Sequence, residues 1–307
     1  MILLIIKVLK ELWNKFVYRL NKDIKIMNEM TKKNLDRKSQ HIDNVQLYND
    51  KPLFSWIDLN LTELCNRTCI FCPRADESKY PNQSLFISDI LIDKMAKELN
   101  DLNYEGSIVL AGFGEPMLYP NMISLIKKFK NIKLEIVTNG DPLTVKNAKE
   151  MYEAGINMFV ISMYDGPEQI DKFTKIFQEA GVPKQYYMLR DRWHTDEDAY
   201  GLKLTNRAGM VDVGLQEEVK LDKPCYYPHY SMTIDWNGDV LLCVQDWNKK
   251  IKLGNIYSQT LLEVWNSNMM NKYRQKLGNG DRNISPCNKC NTDGTLHGFN
   301  HIKYWEK

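Results

Sequence analysis

From about residue 53 onward, short apolar runs alternate with longer segments in which apolar residues recur every three or four positions. The first pattern predicts buried strands, and the second predicts amphipathic helices. Strands are predicted at residues 54–61, 107–111, 133–138, 158–162, 185–190 and 202–205. Strands separated by helices pair in parallel through crossovers, so this order predicts an α/β fold, a partial (β/α)6 TIM-like barrel.

The predicted helices carry recognisable start and stop signals. Ser88 is a suitable N-cap for a helix that runs to about Leu102, with Leu91, Met95 and Leu99 on one face. A second helix is predicted at residues 121–129, and two further helices end at C-cap glycines. These two glycines are Gly155 and Gly181.

The last third of the chain has a different pattern. Residues 236–239 (Trp-Asn-Gly-Asp) predict a hairpin turn between strands at 231–235 and 240–242. A short apolar stretch and a helix follow, which predicts a small C-terminal α+β domain. We therefore expect three parts, at residues 1–50, 51–215 and 216–307.

The N-terminal arm differs from the rest of the chain. Within residues 1–25 apolar residues recur at helical spacing, and lysines and arginines occupy the opposite face. This basic amphipathic helix either lies on an anionic membrane surface, docks a partner, or packs against its own domain. Residues 21–50 are polar, which is typical of a linker.

Composition narrows the class of protein. The 307 residues are 43% hydrophobic and 26% charged, with a net charge of +2. These values are ordinary for a globular protein and give no strong attraction to nucleic acid. No apolar run is long enough for a membrane span, and the start lacks a signal-peptide pattern. Seven cysteines in such a chain indicate reduced thiols, so we expect a cytoplasmic location, with peripheral membrane contact through the first helix as an open alternative.

Three cysteines lie within eight residues, directly after the first predicted strand. Cys65, Cys69 and Cys72 are spaced C-x3-C-x2-C. Three thiolates are one fewer than a four-iron four-sulfur cluster needs, which leaves one iron open to another ligand. A zinc site usually has four protein ligands, and a disulfide needs an oxidising compartment, so both alternatives suit this triplet poorly.

The spacing and its surroundings resemble the radical SAM superfamily. The resemblance implies that the open iron chelates S-adenosylmethionine (SAM) and that its reductive cleavage gives a 5′-deoxyadenosyl radical, which abstracts a substrate hydrogen. It also implies an external electron donor such as flavodoxin or ferredoxin. The segment Gly112-Phe113-Gly114-Glu115-Pro116 is similar to the family segment that holds the SAM ammonium group. By the same resemblance, three further residues are expected to contact SAM: Phe71, Asn139 and Ser162. Arg190, at the end of the fifth predicted strand, is expected to pair with the SAM carboxylate.

A second set of four cysteines lies at Cys225, Cys243, Cys287 and Cys290. Two cysteine pairs suit a structural zinc ion. The set also resembles the SPASM/twitch extension of radical SAM enzymes, in its shortened version with one auxiliary four-iron cluster. That resemblance implies a second cluster held by all four thiols.

The cysteine count bears on the reaction. Three and four ligands use all seven thiols, so no spare cysteine can return a hydrogen atom to a substrate radical. The sixteen tyrosines leave another donor open. The lack of a spare thiol favours an oxidation, in which an auxiliary cluster accepts the surplus electron. Arg207 is the candidate catalytic residue, either near the hydroxyl that loses its proton or as a clamp for a substrate phosphate or carboxylate. His194 and His229 are weaker candidates.

Two classes of enzyme and one class of binding protein fit these features. The first is a radical SAM oxidoreductase acting on a sugar-like or cyclitol-like alcohol, with epimerisation of such a substrate as a variant. The second is a maturase that modifies a peptide. The third is an iron–sulfur or zinc protein used for sensing or nucleic-acid binding, which would have no use for a SAM pocket.

We expect the first class, because the cysteine count favours an oxidation.

Overall fold

The computed structural model describes residues 32–192, 205–212 and 218–305. The predicted basic helix at residues 1–25, His194 and most of the predicted sixth strand lie outside the described residues. Residues 32–42 form helix α1.

Most of the strands belong to a single large sheet. Two short strands, β1 (Leu47–Tyr48) and β2 (Lys51–Pro52), form a separate hairpin. The strands of the large sheet are β3 (Trp56–Leu59), β4 (Ser107–Leu110), β5 (Lys133–Thr138), β6 (Met158–Met163), β7 (Tyr187–Asp191), β8 (Ser231–Ile234), β9 (Asp239–Leu241) and β10 (Lys252–Asn255). Their spatial order is β10-β9-β8-β3-β4-β5-β6-β7, and all neighbours from β8 to β7 are parallel.

Helices connect the parallel strands in the predicted order. The helices are α2 (Asp89–Asp101), α3 (Met122–Lys128), α4 (Val145–Ala154), α5 (Glu168–Glu179), α6 (Tyr227–Tyr230), α7 (Leu261–Trp265), α8 (Asn268–Gly278) and α9 (Phe299–Trp305). Strands β3 to β7 alternate with α2 to α5. The predicted α/β barrel fold is therefore confirmed, with five of the six predicted strands among the described residues.

The core follows the alternation of side chains along each strand. Ile57 and Ile108 are fully buried in the main apolar cluster together with Leu91 of α2. Their neighbours Trp56 and Val109 belong to a separate buried cluster. Successive strand residues point to opposite faces, so one face of the sheet packs against helices and the other faces the barrel interior.

The helix boundaries have the expected chemical causes. Ser88 caps α2 by accepting a hydrogen bond from the backbone N–H of Leu91 at 3.2 Å. Helix α4 begins with a capping box between Thr144 and Asn147, and it ends at Gly155 as predicted. These local bonds satisfy backbone groups that a helix end leaves unpaired, so they fix where each helix starts and stops.

The C-terminal hairpin joins the barrel sheet. Strands β8 and β9 pair in an antiparallel manner around the predicted turn, and β8 also pairs in parallel with β3. Trp56 lies opposite Ser231, and Leu59 lies opposite Ile234. The described part of Gln40–Lys307 forms one compact unit. The sequence did not predict this shared sheet, and the domain boundaries at residues 50 and 215 remain predictions.

Among the residues described, no helix has the length and apolar character that crossing a membrane requires.

Candidate active site

A cleft opens at the carboxyl ends of the parallel strands. In parallel α/β sheets this edge is the usual place for ligands, because loops from several strands converge there. The residues predicted to bind SAM all line this cleft: Phe71, Gly112, Gly114, Glu115, Asn139, Ser162 and Arg190. The three-cysteine loop and Arg207 line it too. The structure thus brings these residues together, and their individual roles remain predictions.

Hydrogen bonds to its backbone groups fix the conformation of the cysteine loop. Asn82 accepts a hydrogen bond from the Cys65 N–H and donates one to the Cys65 carbonyl, both at 2.9 Å. Cys72 donates its N–H to the Cys69 carbonyl at 2.9 Å, which closes a tight turn. The loop therefore presents its three thiols from a defined backbone.

Arg67, between the first two cysteines, ties the loop to the ends of two barrel strands. Its guanidinium donates to both carboxylate oxygens of Asp141 and both of Asp165, at 2.6 to 2.7 Å. Asp141 follows β5 and Asp165 follows β6. Such bidentate pairs are geometrically specific. Arg67 therefore sets the position of the cysteine loop over the barrel mouth.

Arg74 connects the cysteine loop to the GFGEP segment. This buried side chain donates from Nε to the Phe113 carbonyl at 2.6 Å and from Nη2 to Glu63 at 3.0 Å. A Cβ on Gly114 would lie 2.2 Å from the Thr62 carbonyl oxygen, so only glycine fits there. The segment is therefore packed closely against the chain that leads into the cysteines.

Glu115 is a buried carboxylate at the centre of this segment, with 3% of its surface exposed. It accepts hydrogen bonds from the Thr138 hydroxyl at 2.6 Å, the Asn139 N–H at 2.9 Å and the Met117 N–H at 3.0 Å. Burial raises its pKa to about 7, even though these bonds favour the charged form. A partly desolvated carboxylate of this kind is suited to a cationic ligand group.

The other predicted SAM contacts already have partners in the protein. Asn139 donates from its side chain to Asn66 of the cysteine loop at 2.8 Å. Ser162 accepts a bond from Nη2 of Arg190 at 2.6 Å. The Phe71 ring lies 5.3 Å from the Tyr164 ring, so it packs against the end of β6. These contacts position the side chains at the cleft wall.

The second cysteine set lines a cavity of its own. Cys225, Cys243, Cys287 and Cys290 surround it together with mainly apolar side chains. The N–H of Cys290 donates to the Cys287 carbonyl at 3.1 Å, the same turn that joins Cys69 and Cys72. Within the described ranges, no three His, Cys, Asp or Glu side chains are grouped as ligands of a single metal ion. The four thiols instead face a shared space.

Short chain segments separate the cleft from the cavity of the second cysteine set. Arg207 lines the cleft, while the next residue, Ala208, lines the cavity of the second cysteine set. In the same way, Trp247 lines the cleft and Cys243 lines the cavity. Asn206 holds this wall by donating to the Lys289 carbonyl at 2.7 Å. The two sites are therefore direct neighbours.

The thiols of both sets are available to bind clusters. All seven cysteines are free, although each set shares a site. Burial raises the pKa of Cys69 to about 12, of Cys225 to about 11 and of Cys287 to about 12. Thiolates in these positions therefore need a strong local positive charge, which bound iron supplies. The residues present fit an iron–sulfur cluster at each set.

Several residues of the cleft were missed by sequence reasoning. Arg192 and Tyr164 line it from the strand ends, and Trp247 lines it from the C-terminal region. Arg192 lies two positions after the predicted Arg190, so strand alternation would have identified it. No local pattern identifies Trp247. His229 lies outside this cleft, and burial lowers its pKa to about 3.

Comparisons with known proteins match both parts of this arrangement. A model of the radical SAM superfamily matches residues 59–187, and a model of SPASM, an iron-sulfur cluster-binding domain, matches residues 225–291. Residues 59–187 therefore form a radical SAM region, and residues 225–291 form a SPASM region. These two regions imply SAM and four-iron four-sulfur clusters as cofactors, including an auxiliary cluster.

Individual relatives agree with this assignment. The S-adenosyl-L-methionine-dependent 2-deoxy-scyllo-inosamine dehydrogenase of Niallia circulans is 29% identical over 245 residues, which cover 78% of this chain and 93% of the relative. The cysteine spacing of this chain is similar to the cysteine pattern of that enzyme. The Fe-coproporphyrin III synthase of Methanosarcina barkeri is 26% identical but covers 58% of this chain and 44% of the relative.

A solved structure shares the fold over nearly its whole length. The crystal structure of BtrN in complex with AdoMet and 2-DOIA has a TM-score of 0.68 and 26% identity. The match covers 81% of this chain and 98% of that one. BtrN in an open conformation gives a TM-score of 0.59 at 24% identity, which supports the fold alone.

Proposed function

We propose that this protein is a radical SAM dehydrogenase that oxidises an alcohol of a sugar-like or cyclitol-like small molecule. The relative that covers 78% of this chain is named as a dehydrogenase of 2-deoxy-scyllo-inosamine. The net change on the substrate is the loss of one hydrogen atom, one proton and one electron, which converts the alcohol to a carbonyl group.

The observation that carries this proposal is the shared wall between the cleft and the second cysteine set. Arg207 and Ala208 are consecutive residues that face the two sites from opposite sides. An electron that leaves a substrate in the cleft therefore has a short path to the neighbouring cavity. Four protein thiols complete the ligand set there, so that site is suited to electron transfer rather than to substrate binding.

Bound SAM and the three-cysteine cluster supply the 5′-deoxyadenosyl radical that abstracts the hydrogen atom, and the auxiliary cluster supplies the electron acceptor. The chain's own residues position the reactants. Glu115 offers a buried anion to the SAM ammonium group, and Arg190 offers a guanidinium to its carboxylate. We assign Arg207 to the substrate, either as a hydrogen-bond donor to the oxygen that loses its proton or as a clamp for a phosphate or carboxylate group.

Metal analysis and product analysis of the same anaerobic preparation test the proposal. Reconstituted wild-type protein should contain about 8 iron atoms and no zinc, and with SAM, dithionite and substrate it should form one carbonyl product per 5′-deoxyadenosine. The double variant Cys287→Ala/Cys290→Ala should contain about 4 iron atoms and lose the carbonyl product.

A control variant separates the chemistry from general damage. Lys97→Gln removes an exposed ion pair with Asp101 on α2 and should leave both iron content and turnover unchanged. A wild-type preparation with about 4 iron atoms and about 1 zinc atom would show that the protein has no auxiliary cluster to accept the electron. A redox-neutral reaction such as epimerisation would then replace the dehydrogenase assignment.

Two partners complete the proposal. An external low-potential donor such as flavodoxin or ferredoxin would reduce the cluster at the cysteine loop, where Ile70 is 55% exposed. Contact of the N-terminal segment with a membrane surface remains a prediction from its sequence pattern.

A further inference from the structure

The cleft contains more positive charge than SAM can neutralise. Three guanidinium groups line it without a carboxylate partner among the described residues: Arg190, Arg192 and Arg207. The cleft's other two arginines are paired, Arg67 with two aspartates and Arg74 with Glu63.

Partial burial makes this excess positive charge energetically costly. Nε of Arg190 and Nε of Arg207 are buried and have no hydrogen-bond partner. Burial, together with the nearby charges of Arg190 and Arg207, lowers the pKa of Arg192 to about 9. All three residues are half-buried. Partly desolvated cations without a partner are costly, so such groups are normally retained where a ligand neutralises them.

Strand geometry aims two of these groups at the same space. Arg190 and Arg192 are two positions apart at the end of β7, so their side chains lie on one face of the strand. Asp191, between them, is not among the residues that line the cleft. Arg207 reaches the cleft from the wall segment, where its backbone is held at φ +49°. A non-glycine residue held in this region is typical of a functional constraint.

The charges of the cofactors can be assigned in turn. The SAM carboxylate pairs with one guanidinium, which we assign to Arg190, and its ammonium group pairs with Glu115, the one carboxylate among the described lining residues. The SAM sulfonium offsets the net negative charge of a cluster held by three thiolates. After these assignments, the positive charges of Arg192 and Arg207 have no anionic partner in the described part of the chain.

We infer that the substrate carries a phosphate group, bound by Arg192 and Arg207 at the wall between the two sites. This inference rests on the proposed function and names its substrate class, a phosphorylated polyol or sugar. A phosphate ester carries about −1.5 to −2 charges at neutral pH, which matches two guanidinium groups. A carboxylate would leave one of them unpaired. An amine, as in the inosamine of the relative, would be repelled.

Matched pairs of probes test this substrate class. The holoenzyme with SAM is titrated anaerobically by calorimetry with myo-inositol and its 1-phosphate, and with glucose, its 6-phosphate and glucuronate. At least one phosphate ester should bind about tenfold more tightly than its parent, and more tightly than glucuronate. Inorganic phosphate should compete with that ester. Equal binding of esters and parents, or tighter binding of glucuronate, would overturn the inference.

Variants assign the binding to the arginines. Arg192→Gln should reduce the preference for the ester to about threefold or less, whereas Arg192→Lys, which keeps the charge, should retain part of it. The visible spectrum of the clusters shows whether each variant is folded and loaded. Lys97→Gln, an exposed charge on α2, is the control and should bind the ester as the wild type does. An unchanged ester preference in both Arg192 variants would also overturn the inference.

The proposed function and this inference fail in different ways. If dithionite does not drive 5′-deoxyadenosine formation but the esters still bind selectively, the dehydrogenase assignment is wrong and the anion site stands. If SAM is cleaved and an unphosphorylated alcohol is oxidised with no preference for esters, the enzyme class stands and the phosphate site is wrong.

Discussion

Glu115 is the residue whose ionisation should control SAM binding. Burial raises its pKa to about 7, and a bound ammonium group requires the anionic carboxylate. We therefore expect SAM affinity of the free holoenzyme to fall as the pH drops from about 8 through 7, because protonation removes the charge below the pKa. Glu115→Gln mimics the protonated form. It should bind SAM about tenfold more weakly at the higher pH and show no pH dependence in this range.

Equilibrium dialysis of SAM against the anaerobic holoenzyme across this pH range measures the effect. Glu150→Gln, which alters an exposed carboxylate of α4, is the control and should keep the wild-type profile. A Glu115→Gln variant with the wild-type pH profile would show that another group controls SAM binding.

At the scale of elements, the β8–β9 hairpin depends on its turn. Gly238 has φ +81°, and an added Cβ would lie 2.8 Å from the Tyr257 ring. Gly181 has a similar φ of +72°, but an added Cβ would meet no atom within 4 Å. Gly238→Ala therefore adds a steric clash to the backbone strain that both substitutions share, and it should destabilise the protein by about 1–3 kcal/mol more than Gly181→Ala.

The thermal midpoints of the two anaerobic holoenzyme variants give this comparison directly, since each is measured against the same wild type. Equal shifts for both glycines would mean that the Tyr257 ring moves aside without cost. The hairpin turn would then tolerate a side chain.

At the scale of the whole molecule, the shared sheet should make the barrel and the C-terminal region unfold together. Strand β8 pairs with β3 along four residue pairs, and β3 is the first barrel strand. We expect a single thermal transition in which circular dichroism of the backbone and absorbance of the clusters change at the same temperature. Two separated transitions would show that the C-terminal region is an independent domain.

Much of the barrel could be predicted from sequence because its causes are local. The apolar period defines β5 at residues 133–138, and the Ser88 hydroxyl defines the start of α2. The cysteine spacing and the GFGEP segment marked the cleft, and the structure brings them together there. These signals each lie within a few residues of the feature that they predict.

The parts that could not be predicted depend on long-range contacts. Nothing in residues 231–234 indicates that this strand pairs with residues 56–59, because a strand's pattern records its burial and not its partner. The same holds for Arg67, whose aspartate partners are 74 and 98 positions away in the chain. Sequence reasoning found many of the residues that line the two sites and missed the contacts that hold them in place.

The pairing of β8 with β3 also has a consequence during synthesis. A ribosome that has released Leu59 must add about 175 more residues before Ile234 can complete the pair, which at about 5–20 residues per second takes roughly 9 to 35 s. For that time the nascent barrel has an open strand edge, a template for pairing with other chains. Efficient production of this protein should therefore depend on chaperones that shield the growing polypeptide, and it should improve when translation of that stretch is fast.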